Sequence, residues 1–202
     1  MKDSQLMMDS SDTNGKAEAL LDYVLSWSLR NCDENSSNCG KPILTGYSKY
    51  MLATLLEMGK ENINDIRFKT VKTWKQWNNI DLCVEVILEI AGQEEKLAIL
   101  IEDKYYTNLH LSKDTDGKNR NQLVVYKKQF ESCYNGKDGD WKLHYALISC
   151  LNSHDEALEF YGDIKKKYGF DLYSFYELLP EQKEYIDSES DIFNEFWLRK
   201  WQ

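Results

Sequence analysis

The sequence predicts an α/β (α+β) fold in which a mixed central sheet is flanked by helices, with further helices at the C-terminal end. Three observations predict it. Apolar residues recur at helical spacing as far as residue 60, the period then drops to 2 through three consecutive segments, and a helical stretch separates the last of these from a fourth strand.

The elements follow in order. "KAEALLDYVLSWSLRN" places Ala19, Leu20, Tyr23, Val24 and Trp27 at helical spacing and predicts an amphipathic helix, which "NCDENSSNCGKP" ends. "YSKYMLATLLEMGKEN" predicts a second helix, with Tyr47, Met51, Leu55 and Met58 on one stripe. "IRFKTVKTW" alternates Ile66, Phe68 and Thr70 against Arg67, Lys69 and Val71, as a strand does. "DLCVEVILEI" and "KLAILIED" make a hairpin about "AGQEE", where Gly92 takes the positive φ of a tight turn. "NRNQLVVYKKQFESCY" is the next helix, and "WKLHYALISC" is a strand after the turn signal "NGKDGD". From Ser153 the chain reads as mostly helical, opening with the capping-box spacing of "SHDE". Lys165, Lys166 and Lys167 suit the last turn of a helix. Phe193, Phe196, Trp197 and Trp201 make the C-terminal segment apolar enough to dock on the core. An exposed stripe there would instead serve a homodimer.

With 202 residues, of which 42% are apolar, the chain can bury one substantial core. The expected organisation is a single domain over 16–202, with its core at about 45–150 and a helical extension at 151–202. Residues 1–15 are polar and non-periodic and read as a disordered tail. No apolar run approaches the ~20 residues that span a bilayer and the N-terminus has no apolar signal core, so the expectation is a cytoplasmic protein without a membrane partner. Five cysteines, an odd number, fit reduced thiols. The histidines His110, His144 and His154 offer no paired ligand spacing for zinc. A net charge of -9 repels a phosphate backbone, so any nucleic-acid role must rest on a local basic patch, divalent cations or a partner.

Charge placement in the hairpin is the most informative feature. Leu82, Val84, Val86, Leu88 and Ile90 share one face, as do Leu97, Ile99 and Ile101. Burying both rows together fixes the pairing parity. If Ile90 pairs with Glu95, Asp81 faces Lys104 and Glu102 lies one diagonal away, and any shift of two residues keeps all three on the same face. Two carboxylates on rigid strands suit Mg²⁺, and an adjacent ammonium suits hydrolysis of a phosphodiester. The plain alternative is two strands ending in solvated charges.

An acid opening one strand, Glu-x-Lys ending the next ("IEDK") and a helix opening "NQLVVY" together resemble the PD-(D/E)XK nuclease superfamily, in particular its bacterial subset with "NQL..Y" after Glu-x-Lys. The resemblance covers about residues 45–150. It implies a restriction-endonuclease-like αβββαβ core and a nuclease dependent on Mg²⁺ or Mn²⁺ that acts on nucleic acid, DNA before RNA, in a setting such as bacterial or phage defence. It further implies that Asp81, Glu102 and the main-chain carbonyl of Asp103 hold the metal, with Lys104 as catalytic lysine and Gln122 orienting water or phosphate. Glu57, with Glu18 behind it, is the candidate acid from an upstream helix. Ile80 stands where the family has proline, and the connection from Tyr105 to Asn121 is longer than usual.

That connection carries Lys113, Lys118 and Arg120, which fit a substrate-contacting loop or a disordered surface loop equally. Arg67, Lys69, Lys72 and Lys75, interleaved with Phe68, Trp74 and Trp77, fit a basic stripe for phosphates or the guarded face of an edge strand. The competing function is a catalytically inactive interaction protein of the same fold, of the immunity or inhibitor type. Its acidic surface would then bind a protein partner.

Overall fold

The computed structural model describes residues 16–59, 63–77, 79–181 and 186–199. The proposed tail at 1–15, the side chain of Glu18, and Trp201 lie outside the described residues. Helices α1 (Lys16–Arg30) and α2 (Pro42–Leu55) precede three long strands, β1 (Arg67–Trp77), β2 (Ile80–Ile90) and β3 (Gln93–Lys104). A small hairpin follows, β4 (Leu111–Lys113) and β5 (Asn119–Asn121), then α3 (Gln122–Tyr134) and β6 (Trp141–Ser149). The chain continues through α4 (His154–Tyr161), α5 (Ile164–Tyr168), β7 (Asp171–Ser174) and α6 (Asp191–Phe193), which runs on into a wider helical turn at Asn194–Leu198.

The sheet has the order β1-β2-β3-β6-β7. β1, β2 and β3 are antiparallel, whereas β6 runs parallel to β3 and β7 parallel to β6, so the sheet is mixed as the sequence predicts. The run α2, β1, β2, β3, α3, β6 has the αβββαβ order expected from the sequence, with β4 and β5 inserted before α3.

Pleating sorts the strands into two cores. Leu82, Val84, Val86 and Leu88 with Leu97, Ile99 and Ile101 face α1, α2 and the C-terminal segment. Cys83, Ala98, Leu100 and Leu147 face α3, α4 and α5. The C-terminal aromatics dock on the first core: Trp197 stacks on Phe175 with centroids 4.3 Å apart and donates Nε1–H to Ser28 Oγ at 2.8 Å.

Several details depart from the expectation, each for a local reason. Ile90 pairs with Gln93, so the hairpin closes through Ala91 and Gly92 alone, at φ 50° and 79°. The "AGQEE" segment is therefore a two-residue turn with both central residues left-handed, and the register moves by two: Leu82 pairs with Ile101, which sets Asp81 across from Glu102 instead of Lys104. In β1 an irregularity between Phe68 and Thr70 puts both Phe68 and Val71 into the core, against strict alternation. On α1 the buried stripe is Leu21, Val24, Leu25 and Leu29, while Leu20 and Tyr23 face solvent.

The connection after β3 is no structureless loop, since β4 and β5 pair within it. It also takes Asn119, Arg120 and Asn121 from the predicted helix. That helix begins at Gln122, where Asn121 caps it by accepting the Leu123 N–H at 3.0 Å. Past Ser153 the reading "mostly helical" missed β7, which with four residues is too short to show a period.

Candidate active site

At the end of β3 the chain carries Glu102, Asp103 and Lys104 in succession, and the pleat turns Glu102 and Lys104 toward α3 and Asp103 toward α1. The Lys104 ammonium meets Glu102 Oε1 at 2.6 Å. The same oxygen accepts a short hydrogen bond from the Gln122 side-chain amide. Gln122 is fixed in turn: its Oε1 accepts the His110 N–H at 2.9 Å, and its own N–H reaches the His110 carbonyl at 3.0 Å. The hairpin after β3 therefore sets the first turn of α3, and that turn holds Glu102. Tyr126, one turn further along α3, lies close enough for Glu102, Asp81 and Lys104 to bear on its phenol, though burial contributes most to raising its pKa.

Asp81 opens the neighbouring strand, and its Oδ2 accepts the main-chain N–H of Asp103 at 3.2 Å. It is partly exposed, whereas Glu102 and Lys104 are only 1% and 5% exposed. Glu102 Oε2 is buried without a hydrogen-bond partner among the described residues. Burial above all, and then the charge of Asp81, push the Glu102 carboxyl well above its ordinary range, against the pull of Lys104. Sequence reasoning thus placed Asp81, Glu102, Lys104 and Gln122 together, and the structure brings these four side chains to one end of the sheet.

Glu57 does not join them. Its carboxylate pairs with Lys165 at 2.8 Å and is about half exposed, and Lys165 also holds Asp171 of β7 at 2.5 Å. Glu57 sits just beyond the end of α2 at φ 52°, and that departure from the helix carries it away from β3. A buried helix acid lies instead on the opposite face of β3, Asp22 of α1. It is 3% exposed and lies against the Asp103 carboxyl, which burial and then Asp22 push far upward. Two carboxyls in contact share a hydrogen bond only when one keeps its proton, and Lys75 lies 3.8 Å from Asp22 and 3.1 Å from the Tyr23 ring centre. The signal for Asp22 was in the sequence: it stands three and seven residues before Leu25 and Leu29, on the buried stripe.

The basic residues divide. Lys69 pairs with Glu89 at 2.7 Å and Glu94 at 3.2 Å, and Lys75 points toward α1, so neither joins a free stripe. Lys72 is exposed, and no ion pair holds it among the described residues. In the small hairpin Arg120 binds Asp114 at 3.3 Å and Asp116 at 2.8 Å, and Lys118 lies 4.0 Å from Asp116. Lys113 stays exposed.

Metal binding can be tested on the donor set. Among the described residues no group of three or more His, Cys, Asp and Glu side chains is disposed to hold an ion. The side-chain donors on offer are the Asp81 and Glu102 carboxylates. Their mutual repulsion and the unpartnered Glu102 oxygen are what a divalent cation relieves, so this pair fits an ion that takes few protein ligands and keeps several waters.

No protein-family model matches the chain, and no curated protein matches it. Among solved structures it has a slight likeness to "MspJI Restriction Endonuclease in Complex with 27-mer Oligonucleotide", at 11% identity and a TM-score of 0.24. The match covers 88% of this chain and 33% of that one, so this chain spans about a third of that protein's length. A likeness of that size carries no functional argument. What the strand order and site define is a mixed α/β fold with two carboxylates, a lysine and a glutamine converging at one end of its sheet.

Proposed function

We propose that the protein is a nuclease dependent on Mg²⁺ or Mn²⁺ that hydrolyses phosphodiester bonds in nucleic acid, with DNA favoured over RNA. The observation that carries this reading is the convergence on Glu102: one oxygen is held by Lys104 and Gln122, and the other is buried without a donor beside Asp81. Asp81, Glu102 and the main-chain carbonyl of Asp103 would hold the metal, which when bound supplies Lewis acidity at a phosphoryl oxygen.

The chain's own groups have distinct parts. Gln122 fixes the orientation of Glu102 through its anchored amide. The Lys104 ammonium, 2.6 Å from Glu102 Oε1, stands where it would steady negative charge developing on the phosphate and position the attacking water. Asp81, the partly exposed member, is the side on which substrate enters. A role in bacterial or phage defence belongs to the same proposal.

One observation favours a second reading, an inactive nuclease-fold protein that binds a protein partner through its acidic surface. Glu102 and Lys104 are nearly sealed from solvent and pair through Glu102 Oε1, and the chain's net charge is -9. Calorimetric titration of Mg²⁺ and Mn²⁺ into the wild type and an Asp81→Ala/Glu102→Ala variant, beside cleavage assays on single- and double-stranded DNA and RNA, separates the two. Binding and cleavage that both vanish in the variant support the nuclease. A wild type that binds neither ion and cuts nothing supports the partner-binding protein.

A further inference from the structure

A cavity of about 210 Å³ opens on the α3 face of the sheet, walled by Trp74 and Trp77 of β1 and by Phe130 and Tyr134 of α3, with Glu85 and Lys137 as its charged groups. Trp77 reaches this side because Gln76 takes φ 50°, which breaks the alternation of β1 and sends the next ring toward the second core. The floor includes Cys83, whose thiol burial pushes up to about 12 and so keeps uncharged. Cys83 is two residues along β2 from Asp81 on the same pleated face, about 7 Å away.

Size and chemistry narrow the occupant. The volume is below the roughly 300–1,000 Å³ of pockets for drug-sized ligands, so it suits one planar ring system and not a whole nucleotide. The walls are aromatic faces that stack on any base. Glu85 supplies direction: Tyr134 donates its hydroxyl to Glu85 Oε1 at 2.9 Å and Lys137 bonds to the same oxygen, while Oε2 makes no hydrogen bond among the described residues. That free acceptor matches an exocyclic amino group. Thymine's single ring N–H is flanked by two carbonyl oxygens, which repel a carboxylate. Two cations stand around the cavity: Lys137 is held by Glu85, so Lys72, which no ion pair holds among the described residues, is the one at hand for a phosphate. Lys137 lies 4.6 Å from the Trp141 ring centre, and the exposed Lys72 pairs across from Glu85 in the ladder.

We propose that this cavity receives one unstacked, amino-bearing nucleobase of a single strand whose phosphate chain runs on toward Asp81. The inference rests on the nuclease reading for its substrate class, and it adds a base-specific subsite to it.

The test measures fluorescence anisotropy of labelled oligo(dC) and oligo(dT) with the full chain in Ca²⁺, together with cleavage in Mg²⁺ or Mn²⁺. The wild type should bind oligo(dC) more tightly than oligo(dT). Trp74→Ala, at a partly exposed site, should weaken oligo(dC) binding by roughly five- to 150-fold, the loss of one stacked base. Glu85→Ala should bring the two oligomers to equal affinity, and Asp81→Ala should keep the dC preference. Equal binding of both oligomers by the wild type, no binding of either, or a Trp74→Ala variant that binds as the wild type does would each overturn the subsite. Preferential binding without cleavage in either metal would leave the subsite standing and remove the nuclease; cleavage without base preference would do the reverse.

Discussion

Asp81 Oδ2 accepts the main-chain N–H of Asp103 at 3.2 Å, so the acid that opens β2 is tied to the backbone between Glu102 and Lys104. The bond holds Asp81 against Glu102 although the two carboxylates repel. That repulsion, which Lys104 offsets only in part, makes the pair costly without a metal ion.

The first prediction follows from this cost. The Glu102 carboxyl is raised by burial and by Asp81, so its ionised form destabilises the fold. The native state therefore binds more protons than the unfolded chain between the ordinary carboxylate pKa and the raised one. Stability should fall as pH climbs through that window. At neutral pH Glu102→Gln should melt higher than the wild type without metal, whereas Mg²⁺ or Mn²⁺ should raise the melting temperature of the wild type alone. Thermal melts with and without metal check both arms; a Glu102→Gln variant stabilised by metal as much as the wild type would count against the assigned ligand.

Gln122 supports a second prediction. It is fully buried and ties the His110 backbone to Glu102, so Gln122→Ala strands the His110 N–H and removes a donor from Glu102. The expected loss is about 1–3 kcal/mol in denaturant unfolding. Faster hydrogen exchange at the His110 amide should accompany it, and an amide as protected as in the wild type would contradict the role.

Much of this site was legible because it depends on parity alone. The apolar rows Leu82 to Leu88 and Leu97 to Ile101 must be buried together, and that condition places Asp81, Glu102 and Lys104 on one face whatever the absolute register. What the sequence left open depends on conformations set by one residue or on tertiary contact. Left-handed Ala91 decides the two-residue shift, left-handed Glu57 ends the reach of α2, and left-handed Gln76 turns Trp77 to the other core. β7 gains its place only by pairing with β6. The spacing of Asp22 to Leu25 and Leu29 shows that it is buried, but its contact with Asp103 is tertiary and has no local signal.

The turn offers a third prediction. Ala91 sits at φ 50°, where a side chain of its kind is disfavoured, while asparagine and glycine enter that region at less cost. Ala91→Asn should stabilise the protein by roughly 0.5–1 kcal/mol and leave metal binding unchanged. Chemical denaturation measures the first effect and calorimetry the second; a destabilised variant would mean that the two-residue turn is not the one formed.

A fourth prediction separates the two helix acids. Glu57 and Lys165 form a largely exposed pair, so Glu57→Gln should cost no more than about 0.5 kcal/mol and should leave metal affinity as it is. Asp22→Asn instead gives the buried Asp103 carboxyl an amide donor and removes a repelling charge. Its melting temperature at neutral pH should rise. Metal affinity that fell in Glu57→Gln and stayed constant in every site variant would return Glu57 to the site.

The small hairpin supplies the last prediction, with the opposite pH sign. Asp114 is nearly fully enclosed by Lys128 at 3.0 Å, Arg120 at 3.3 Å and the Thr115 N–H at 2.6 Å. The Lys128 bond first, and then the Thr115 N–H, hold its carboxyl below the ordinary 3.8. A lowered carboxylate contributes stability that is fully present above the unfolded-state value and is lost as pH falls through the folded one. The hairpin should therefore loosen only below about pH 4, while Asp114→Asn should loosen it at every pH and remove that acid step. Because β5 leads directly into Gln122, loosening should reach the site. Amide exchange of residues 111–122 followed from pH 6 to 3 reports it, and an Asp114→Asn hairpin as protected as the wild type would show that the ion pairs do not hold it.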